Sequence, residues 1–581
     1  MATRSNPRAV GAPADTVVLK FGSSVLRTPA DLPWAVQEIY AHRRRGARVV
    51  AVVSAFAGVT DALYARAREH GTDACATAAL VATGEFESAS LLTLALDRCG
   101  VPARLLEPRA VTLRTHGTVL DAEPVEVDRA PLERALGECG VVVFPGFCGV
   151  GEHGETTLLG RGGSDLTALF LAERLGARCV LVKDVDGLYE RDPALPGPRP
   201  ARYDRITWED ALRVGGKVVQ PKTLRSARLH GQALEIRAIG RPHSTVVGPE
   251  PAALARADDA RPRRVALLGL GVVGGGVYER LASRPDLFDV VRIVVRDPAR
   301  HAARGVPPEL LSTNPWEALA GRPDVIVEAL GGVEPAAELM LAALLDNGCV
   351  VTANKAALAA HYDAFAPFLA SGRLRCSAAV GGAVPVLEAI GRLRGRMPVT
   401  RVRGVLNGTC NFVLDRLAAG ADLETATAEA QSAGYAEPDP SFDLAGHDAA
   451  HKLELVVRAA TGATAGAFPV AGLDAHTADA QREALARHER LKLVATWDRE
   501  RGARVAVESL AADDALAGAS AEENRVEIGL ADGTVERLAG RGAGRAPTTT
   551  AVVADLLDVL GAIADGSTAT TAAADERSAS A

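Results

Sequence analysis

The sequence predicts an α/β chain made of two successive units, each a run of short apolar strands alternating with helices. Three observations carry this. Strand–helix alternation runs from Val17 to about Gly248, breaks in a Pro/Ala/Asp-rich stretch, and restarts at Arg264. The restart carries a strand, Val265-Ala266-Leu267-Leu268, straight into Gly269-Leu270-Gly271-Val272-Val273-Gly274. That is the GxGxxG turn through which a pyrophosphate reaches a helix N-terminus. Finally, 581 residues are too many for one hydrophobic core.

The elements follow in order. Residues 1–15 are polar and Pro/Ala-rich and are expected to fray. Strands are expected at 17–21, 48–54, 141–144 and 179–183, where apolar residues run together in short blocks. Helical spacing covers 32–44, 76–98 and 165–175. Residues 249–262 read as a linker. The second alternation gives strands 264–268, 290–295, 324–329 and 349–353, with helices 274–284 and 334–346 between them. This is the pattern of a doubly wound nucleotide-binding domain. From about 380 the helices lengthen and strands such as 400–405 appear, as in an α+β segment. The Ser/Thr/Ala-rich end has no apolar period and is expected to be disordered.

Composition is that of an ordinary globular enzyme: 48 % apolar, 24 % charged, net charge −7. No dense basic stripe suits nucleic acid, and Arg43-Arg44-Arg45 reads as a solvated helix end. No apolar stretch reaches the roughly eighteen residues of a membrane span, and the N-terminus has no apolar signal segment. A cytoplasmic chain without membrane or nucleic-acid partners is expected. Eight cysteines include no CxxC pair, and Cys148 and Cys179 fall in strand-like runs, so reduced core thiols are expected. Lysine is scarce, seven residues against fifty-eight arginines. A chain that uses Arg for generic charge keeps Lys where a point charge or a transferable proton is needed, although codon bias alone also thins lysines. Lys20, Lys217, Lys355 and Lys452 all fall in the motifs below.

Val17-Val18-Leu19-Lys20-Phe21-Gly22-Ser23-Ser24 is a strand ending in a small-residue loop with one lysine. Alone it reads better as a plain β-turn with a chance lysine. Phosphoryl transfer uses backbone amides and a cation around the phosphates, and further pieces follow in order. They are VVSAFAGVT at 52–60, Gly84-Glu85, LGRGGSD at 159–165, and Asp184-Val185-Asp186-Gly187-Leu188-Tyr189. The set resembles the aspartokinase branch of the amino-acid kinase family over about residues 16–248. The resemblance implies that Lys20 and the amides of Gly22 and Ser23 stabilise the transferring phosphoryl group. It implies that Ser54, Thr60, Glu85 and Arg161 hold aspartate, with Arg161 forked onto a carboxylate and Glu85 near the amine. Asp165 then orients Lys20 or neighbouring groups, and Asp184, Tyr189 and Lys217 lie on the nucleotide side, with magnesium arriving on ATP. The chain departs from the family pattern at Ser23 (glycine there), Ser24 (threonine), Lys183 (threonine) and Ala194 (arginine).

In the second unit, Gly269, Gly271, Val273 and Gly274 form the expected cofactor turn. At the end of the next strand stand Arg296 and Asp297. An Arg there favours a 2′-phosphate, hence NADP; Asp297 leaves NAD open, and either could be a plain loop charge. Glu328-Ala329-Leu330-Gly331-Gly332 and Val351-Thr352-Ala353-Asn354-Lys355 end strands where open α/β sheets hold ligands. Gly404-Val405-Leu406-Asn407-Gly408-Thr409-Cys410-Asn411, the run GYAEPDPSFDLAGHDAAHK at 434–452, and GRGAGRAPT at 540–548 complete the set. It resembles homoserine dehydrogenase over about 263–562. Asp448 and Lys452 are four residues apart and so share a helix face. The resemblance makes Lys452 the catalytic lysine, with Asp448 beside it. It puts Glu437 on the substrate amine, Asp443 nearby, Thr352 and Lys355 at the nicotinamide end, and Lys355 as a second candidate for the proton. It also implies a monovalent cation (Na+ or K+) on the carbonyls of Val380, Gly382 and Val384, although Ser377 stands where the family has a glutamate. A homo-oligomer, at least a dimer, is implied through the region after 380. His447 and His451 share a face and with Asp443 and Asp448 mimic a metal cluster, but the reductase motif already claims that helix.

Together the resemblances imply an amino-acid kinase fold followed by a Rossmann doubly wound domain with an α+β substrate and dimerisation domain. The expected domains are kinase 16–248, linker 249–262, cofactor domain 263–380 with 540–562, catalytic and dimerisation domain 381–539, and disordered tail 563–581. The implied function is phosphorylation of L-aspartate by ATP and NAD(P)-linked interconversion of L-aspartate 4-semialdehyde and L-homoserine, steps of threonine and methionine biosynthesis. Two alternatives remain. The kinase unit could be a degenerate regulatory or dimerisation module, as Ser23 and Ala194 suggest, or a kinase of another small acid, which Arg161 and Glu85 oppose. Aspartokinases of this branch usually carry ACT domains, and the stretch between Gly248 and Arg264 is too short for one.

Overall fold

A computed structural model describes residues 15–198, 200–216, 218–255 and 261–564. Lys217 and the expected frayed leader and tail therefore fall outside the described residues, except for Asp15 and the end of the last helix. The chain divides into two compact units, one made of nearly all the described residues up to 255 and the other beginning at Arg261.

The first unit is built on a nine-stranded sheet. Its spatial order is Ala253–Leu254, Tyr203–Thr207, Ser244–Gly248, Leu234–Ala238, Arg178–Lys183, Thr16–Phe21, Arg48–Val53, Val141–Pro145 and Arg104–Leu105. Every residue of Thr16–Phe21 is buried, as in a parallel strand covered on both faces. It pairs in parallel with Arg48–Val53 and Arg178–Lys183, with Lys20 level with Val52 and Leu181. The register brings the carboxyl ends of these three strands, and the loops after them, to the same side. Helix Gly163–Leu175 packs on Thr16–Phe21, and its first ten residues are all buried. It begins earlier than expected because Gly162, in the left-handed region at φ +81°, serves as its N-cap. A smaller sheet, ordered Asp121–Glu126, Arg114–Thr118, Cys148–Val150 and Thr156–Leu158, lies outside the sequence expectation. Its strands are short, and Arg114–Thr118 (RTHGT) has no apolar residue to announce it.

Several expectations need correction. Arg44, read as part of a solvated helix end, is buried. The linker starts too early, because Ala253–Leu254 pairs antiparallel with Tyr203–Thr207 as the outer strand of the sheet. Helices long and apolar enough to cross a membrane do exist, at Ala74–Arg98 and Arg545–Ile563. The first packs on Val141–Pro145 and Thr156–Leu158, the second on helix Val272–Ala282, so each covers protein in the manner of a core helix.

The second unit carries a six-stranded parallel sheet, ordered Leu311–Ser312, Phe288–Val294, Arg263–Leu268, Val325–Glu328, Cys349–Thr352 and Leu374–Arg375. In chain order this is 3-2-1-4-5-6, the doubly wound arrangement, whose ligand crevice opens where the order reverses. A five-stranded antiparallel sheet follows, ordered Gly502–Ala511, Glu489–Asp498, Val399–Val405, Glu523–Leu530 and Val535–Arg541. One hydrophobic cluster runs from Leu268 and Val350 through Leu453 and Val456 to Val526 and Ile528. The return to the cofactor sheet is helix Arg545–Ala564, so Gly540 and Arg541 still belong to the antiparallel sheet. Gly276 permits the return: a Cβ there would stand 2.3 Å from Thr549 Oγ1.

Candidate active sites

In the first unit the loops after the parallel strands enclose a cleft of about 1240 Å³. At its floor lies Asp165, 3 % exposed, in the first turn of helix Gly163–Leu175. Lys20 Nζ is 2.8 Å from Asp165 Oδ1 and Lys183 Nζ is 2.9 Å from Oδ2. Burial opposes ionisation of Asp165, but the two ammoniums outweigh it and hold the carboxyl below its ordinary value. Gly22 leaves room for the Lys20 ammonium, since a Cβ there would stand 2.7 Å from Nζ and displace it. Glu85 is 2 % exposed. Burial pushes its carboxyl up to about 8, against the pull of the Ala55 N–H and the Lys20 charge, and Oε2 has no hydrogen-bond partner.

The expected residues of this unit converge. Gly22, Ser23, Ser54, Thr60 and Glu85 line the cleft from one set of loops, and Arg161, Asp165, Asp184 and Tyr189 from the other. Arg161 and Asp184 are exposed and make no ion pair among the described residues. Tyr189 donates its hydroxyl to Asp186 Oδ1 at 2.6 Å. Lys222 braces the loop before Arg161, with Nζ on Asp121 Oδ1 and on the carbonyls of Ala122 and Leu159.

In the second unit the GxGxxG turn opens on a cleft of about 1090 Å³ at the switch point of the parallel sheet. Gly269 has φ +96°, and a Cβ there would meet the Ala329 carbonyl at 2.6 Å. Gly269 and Gly271 line the cleft with Leu270 and Val272; Val273 and Gly274 do not. Gly274 instead packs on the turn itself, where a Cβ would stand 2.1 Å from the Gly269 oxygen. At the far end Arg296, Arg300 and Arg304 all line the cleft, and none has an ion pair among the described residues. Asp297 is turned to another task, capping the next helix through Oδ1 to the Arg300 N–H at 3.0 Å. Thr352 is fully buried and donates to Glu328 Oε2 at 2.5 Å. Its hydroxyl therefore fixes a strand end and does not face the cleft. The fully buried Glu328 also accepts from the Leu330 N–H at 2.8 Å.

The third cluster centres on Asp448, 2 % exposed, in the first turn of helix His447–Thr461. Lys452 Nζ lies 2.8 Å from Oδ2, and Lys355, which opens the helix after strand Cys349–Thr352, pairs with Oδ1. Burial again opposes ionisation, and again Lys452 and Lys355 override it, holding Asp448 well below the carboxylate range. Lys452 also donates to the Leu406 carbonyl at 2.6 Å. Of its three N–H groups, one is left without an acceptor among the described residues. Asn407 Nδ2 lies 2.8 Å from both Asp443 Oδ1 and Asp448 Oδ2, while its own oxygen caps helix Gly408–Ala418. Sequence reasoning gave Asn407 no role; an Asn directly before a helix start was the available signal. Glu437 is exposed, and its side chain makes no hydrogen bond or ion pair with this cluster among the described residues. His447 and His451 pack their rings on Phe442.

The region expected to bind a monovalent cation has other contacts. Ser377 donates from its amide (2.8 Å) and its hydroxyl (2.6 Å) to the buried Asp555, and the Val384 carbonyl accepts from the Val386 N–H. All eight cysteines are free, and six are buried.

Comparison with known proteins gives three matches along the chain. Residues 15–237 match the amino acid kinase family, 269–368 the homoserine dehydrogenase NAD binding domain, and 385–557 homoserine dehydrogenase. A homoserine dehydrogenase of Synechocystis sp. is 35 % identical, covering 52 % of this chain and 74 % of its own length. An aspartate kinase of Pseudomonas putida is 35 % identical, covering 40 % of this chain and 57 % of its own, so the chain spans little more than half of that relative. A solved homoserine dehydrogenase from Thiobacillus denitrificans shares 33 % identity at a TM-score of 0.49, covering 54 % of this chain and 76 % of that one.

Proposed function

The chain belongs to the homoserine dehydrogenase family and carries an amino acid kinase family domain ahead of it, and from that premise we propose that it runs two reactions. One transfers the γ-phosphoryl group of ATP to the side-chain carboxylate of L-aspartate. The other interconverts L-aspartate 4-semialdehyde and L-homoserine with NADP. The observation that carries the reading is a pair of like clusters, one in each unit: a buried aspartate ion-paired to two lysines.

In the kinase cleft, Lys20 and the loop at Gly22 and Ser23 receive the phosphoryl oxygens, and Asp165 fixes the Lys20 ammonium. Arg161, exposed and without an ion pair among the described residues, takes a carboxylate of aspartate. Glu85 takes the amine. Magnesium arrives on ATP, with Asp184 the carboxylate offered at the rim.

The second cleft fits a dinucleotide. The turn at Gly269 and Gly271 is bare backbone at a helix start, as a pyrophosphate needs, and the three unpaired arginines fit a 2′-phosphate, which favours NADP over NAD. When bound, the nicotinamide supplies or accepts the hydride. Lys452 holds the proton for the substrate oxygen through its one remaining N–H. Asp448 fixes that ammonium and Lys355, and Asn407 fixes Asp448. A monovalent cation on the carbonyls of Val380, Gly382 and Val384 is left out of the reading, since Ser377 stands where a carboxylate is expected and is bonded to Asp555, and no step is routed through one.

Two assays on the purified chain test the reading. An ATP-dependent hydroxamate assay run with aspartate, glutamate and other amino acids should respond to aspartate alone. Homoserine should reduce NADP with a change at 340 nm. A chain that oxidises homoserine but gives no hydroxamate with any acid would leave the first unit a non-catalytic module.

A further inference from the structure

Lys183 ends the strand that flanks the Lys20 strand. It stands where the resemblance to aspartokinases expects a threonine, and Ala194, further along the nucleotide side, stands where an arginine is expected. One cation is absent from the family pattern and another is present. The structure says where the second one goes. Lys183 lines the same cleft as Lys20, and the two ammoniums grip opposite oxygens of one carboxylate, at 2.9 and 2.8 Å. Both side chains are about nine-tenths buried. Lys183 spends one N–H on Asp165 and finds no second acceptor among the described residues.

This arrangement is costly unless an anion completes it. Two buried positive charges share one buried negative charge, and each raises the energy of the other. Burial first and the Lys20 charge second make the charged form of Lys183 harder to keep, against the pull of Asp165 and, more weakly, of the exposed Asp184. A lysine placed only to neutralise Asp165 would be redundant, because Lys20 already does so.

We propose that Lys183 is a second catalytic lysine of the phosphoryl transfer, its ammonium meeting the β- and γ-phosphate oxygens of ATP together with Lys20. The inference rests on the kinase reading above. In the step it serves, an aspartate carboxylate oxygen bonds to the γ-phosphorus as the bond from that phosphorus to the ADP oxygen breaks, and the electron pair leaves on ADP. Lys183 transfers no proton; it holds charge on oxygens that carry it through the transition state.

The test separates phosphate contact from a structural role by ligand length. Affinities for magnesium-ATP and for AMP are measured by titration calorimetry on the full chain and on Lys183→Met, Lys183→Thr and Lys183→Arg. A lost charge-assisted contact should weaken ATP about ten- to a hundredfold in the Met and Thr variants, leave AMP within about twofold, and spare the Arg variant most of the loss. Unchanged ATP affinity in both neutral variants would overturn the proposal. So would ATP and AMP weakening in step, or loss of the first unit's thermal transition in both. Because binding needs no turnover, a chain that proves unable to phosphorylate aspartate would fail the kinase reading while still giving this result for Lys183.

Discussion

Glu85 makes the kinase cleft sensitive to pH in a way that can be calculated. Its carboxyl is buried, one oxygen lacks a partner, and its pKa is raised from 4.5 to about 8 by burial. At neutral pH it is mostly protonated in the empty cleft. An ammonium group needs it ionised, so aspartate must bind with loss of that proton. The apparent affinity then falls by a factor of about 1 + 10^(8 − pH), which is about elevenfold at pH 7, about a hundredfold at pH 6, and about twofold at pH 8. The KM for aspartate should drop about tenfold per unit between pH 6 and 7.5 and level off above pH 8, while the KM for magnesium-ATP stays flat. Stability moves the other way. The folded value lies above the unfolded one, so Glu85 contributes most below about pH 4.5, and that contribution is lost as pH rises through about 8. By pH 7 the loss is about 3 kcal/mol. Glu85→Gln should therefore raise the thermal stability of the first unit at pH 7 and erase the slope in KM while weakening aspartate. Coupled ADP-release kinetics from pH 6 to 9, with calorimetry at pH 5 and 7, read both. An aspartate KM that is level across this range, or a Gln variant that keeps the slope, would refute the reasoning.

Further expectations concern single sites. Lys452→Ala should lower homoserine oxidation by about 10²–10⁴ and leave hydroxamate formation within twofold; near-normal turnover would remove Lys452 from the site. Asp448→Asn should lower the same activity, and by breaking a buried pair it should destabilise the second unit by about 3 kcal/mol, with the Lys355 arm discounted because that side chain is 36 % exposed; differential scanning calorimetry reads the loss. Lys20→Ala should abolish hydroxamate formation and spare the dehydrogenase, and equal hydroxamate rates in variant and parent would deny its role. Arg296→Asp should cut kcat/KM for NADPH more than for NADH, and a parent enzyme indifferent between the two would count against a 2′-phosphate contact.

The parallel strands were legible because strands buried on both faces are near-continuous apolar runs, as in Thr16–Phe21 and Arg263–Leu268. The four-stranded sheet was not, since Arg114–Thr118 and Thr156–Leu158 are short and rich in polar residues. The linker was misjudged because Ala253 and Leu254 form a strand only through pairing with Tyr203–Thr207, which no local pattern announces. Among site residues, short-range signals served well: Asp448 and Lys452 lie one helical turn apart, and the structure pairs them at 2.8 Å. Contacts distant in sequence did not show. Lys183 meets Asp165 across eighteen positions, and Asn407 meets Asp448 across forty-one. Lys183 was visible only as a departure from a pattern, and Asn407 only as a helix cap. Thr352, expected on the cofactor, is drawn inward by Glu328, a buried carboxylate whose need for donors outweighs exposure of a hydroxyl.

The scarcity of lysine gains a physical meaning from these placements. Lys20, Lys183, Lys355 and Lys452 form the two aspartate-centred clusters. Lys222 braces the loop before Arg161, and Lys492 is 1 % exposed, bonded to Asn411, Asp415 and the Ala519 carbonyl. Every described lysine thus has a defined polar task. In the function proposed above, the two clusters meet one electrostatic problem in unrelated folds. Phosphoryl transfer spreads charge over phosphate oxygens, and aldehyde reduction builds it on an alkoxide. A compact ammonium can meet a single such oxygen and, in the second case, give it a proton, whereas the guanidinium cannot be deprotonated in proteins. Alone, a buried ammonium would be mobile and prone to lose its charge. A buried aspartate holding two of them fixes both donors and leaves the set one charge short of neutral, which the reacting oxygens supply as they become negative.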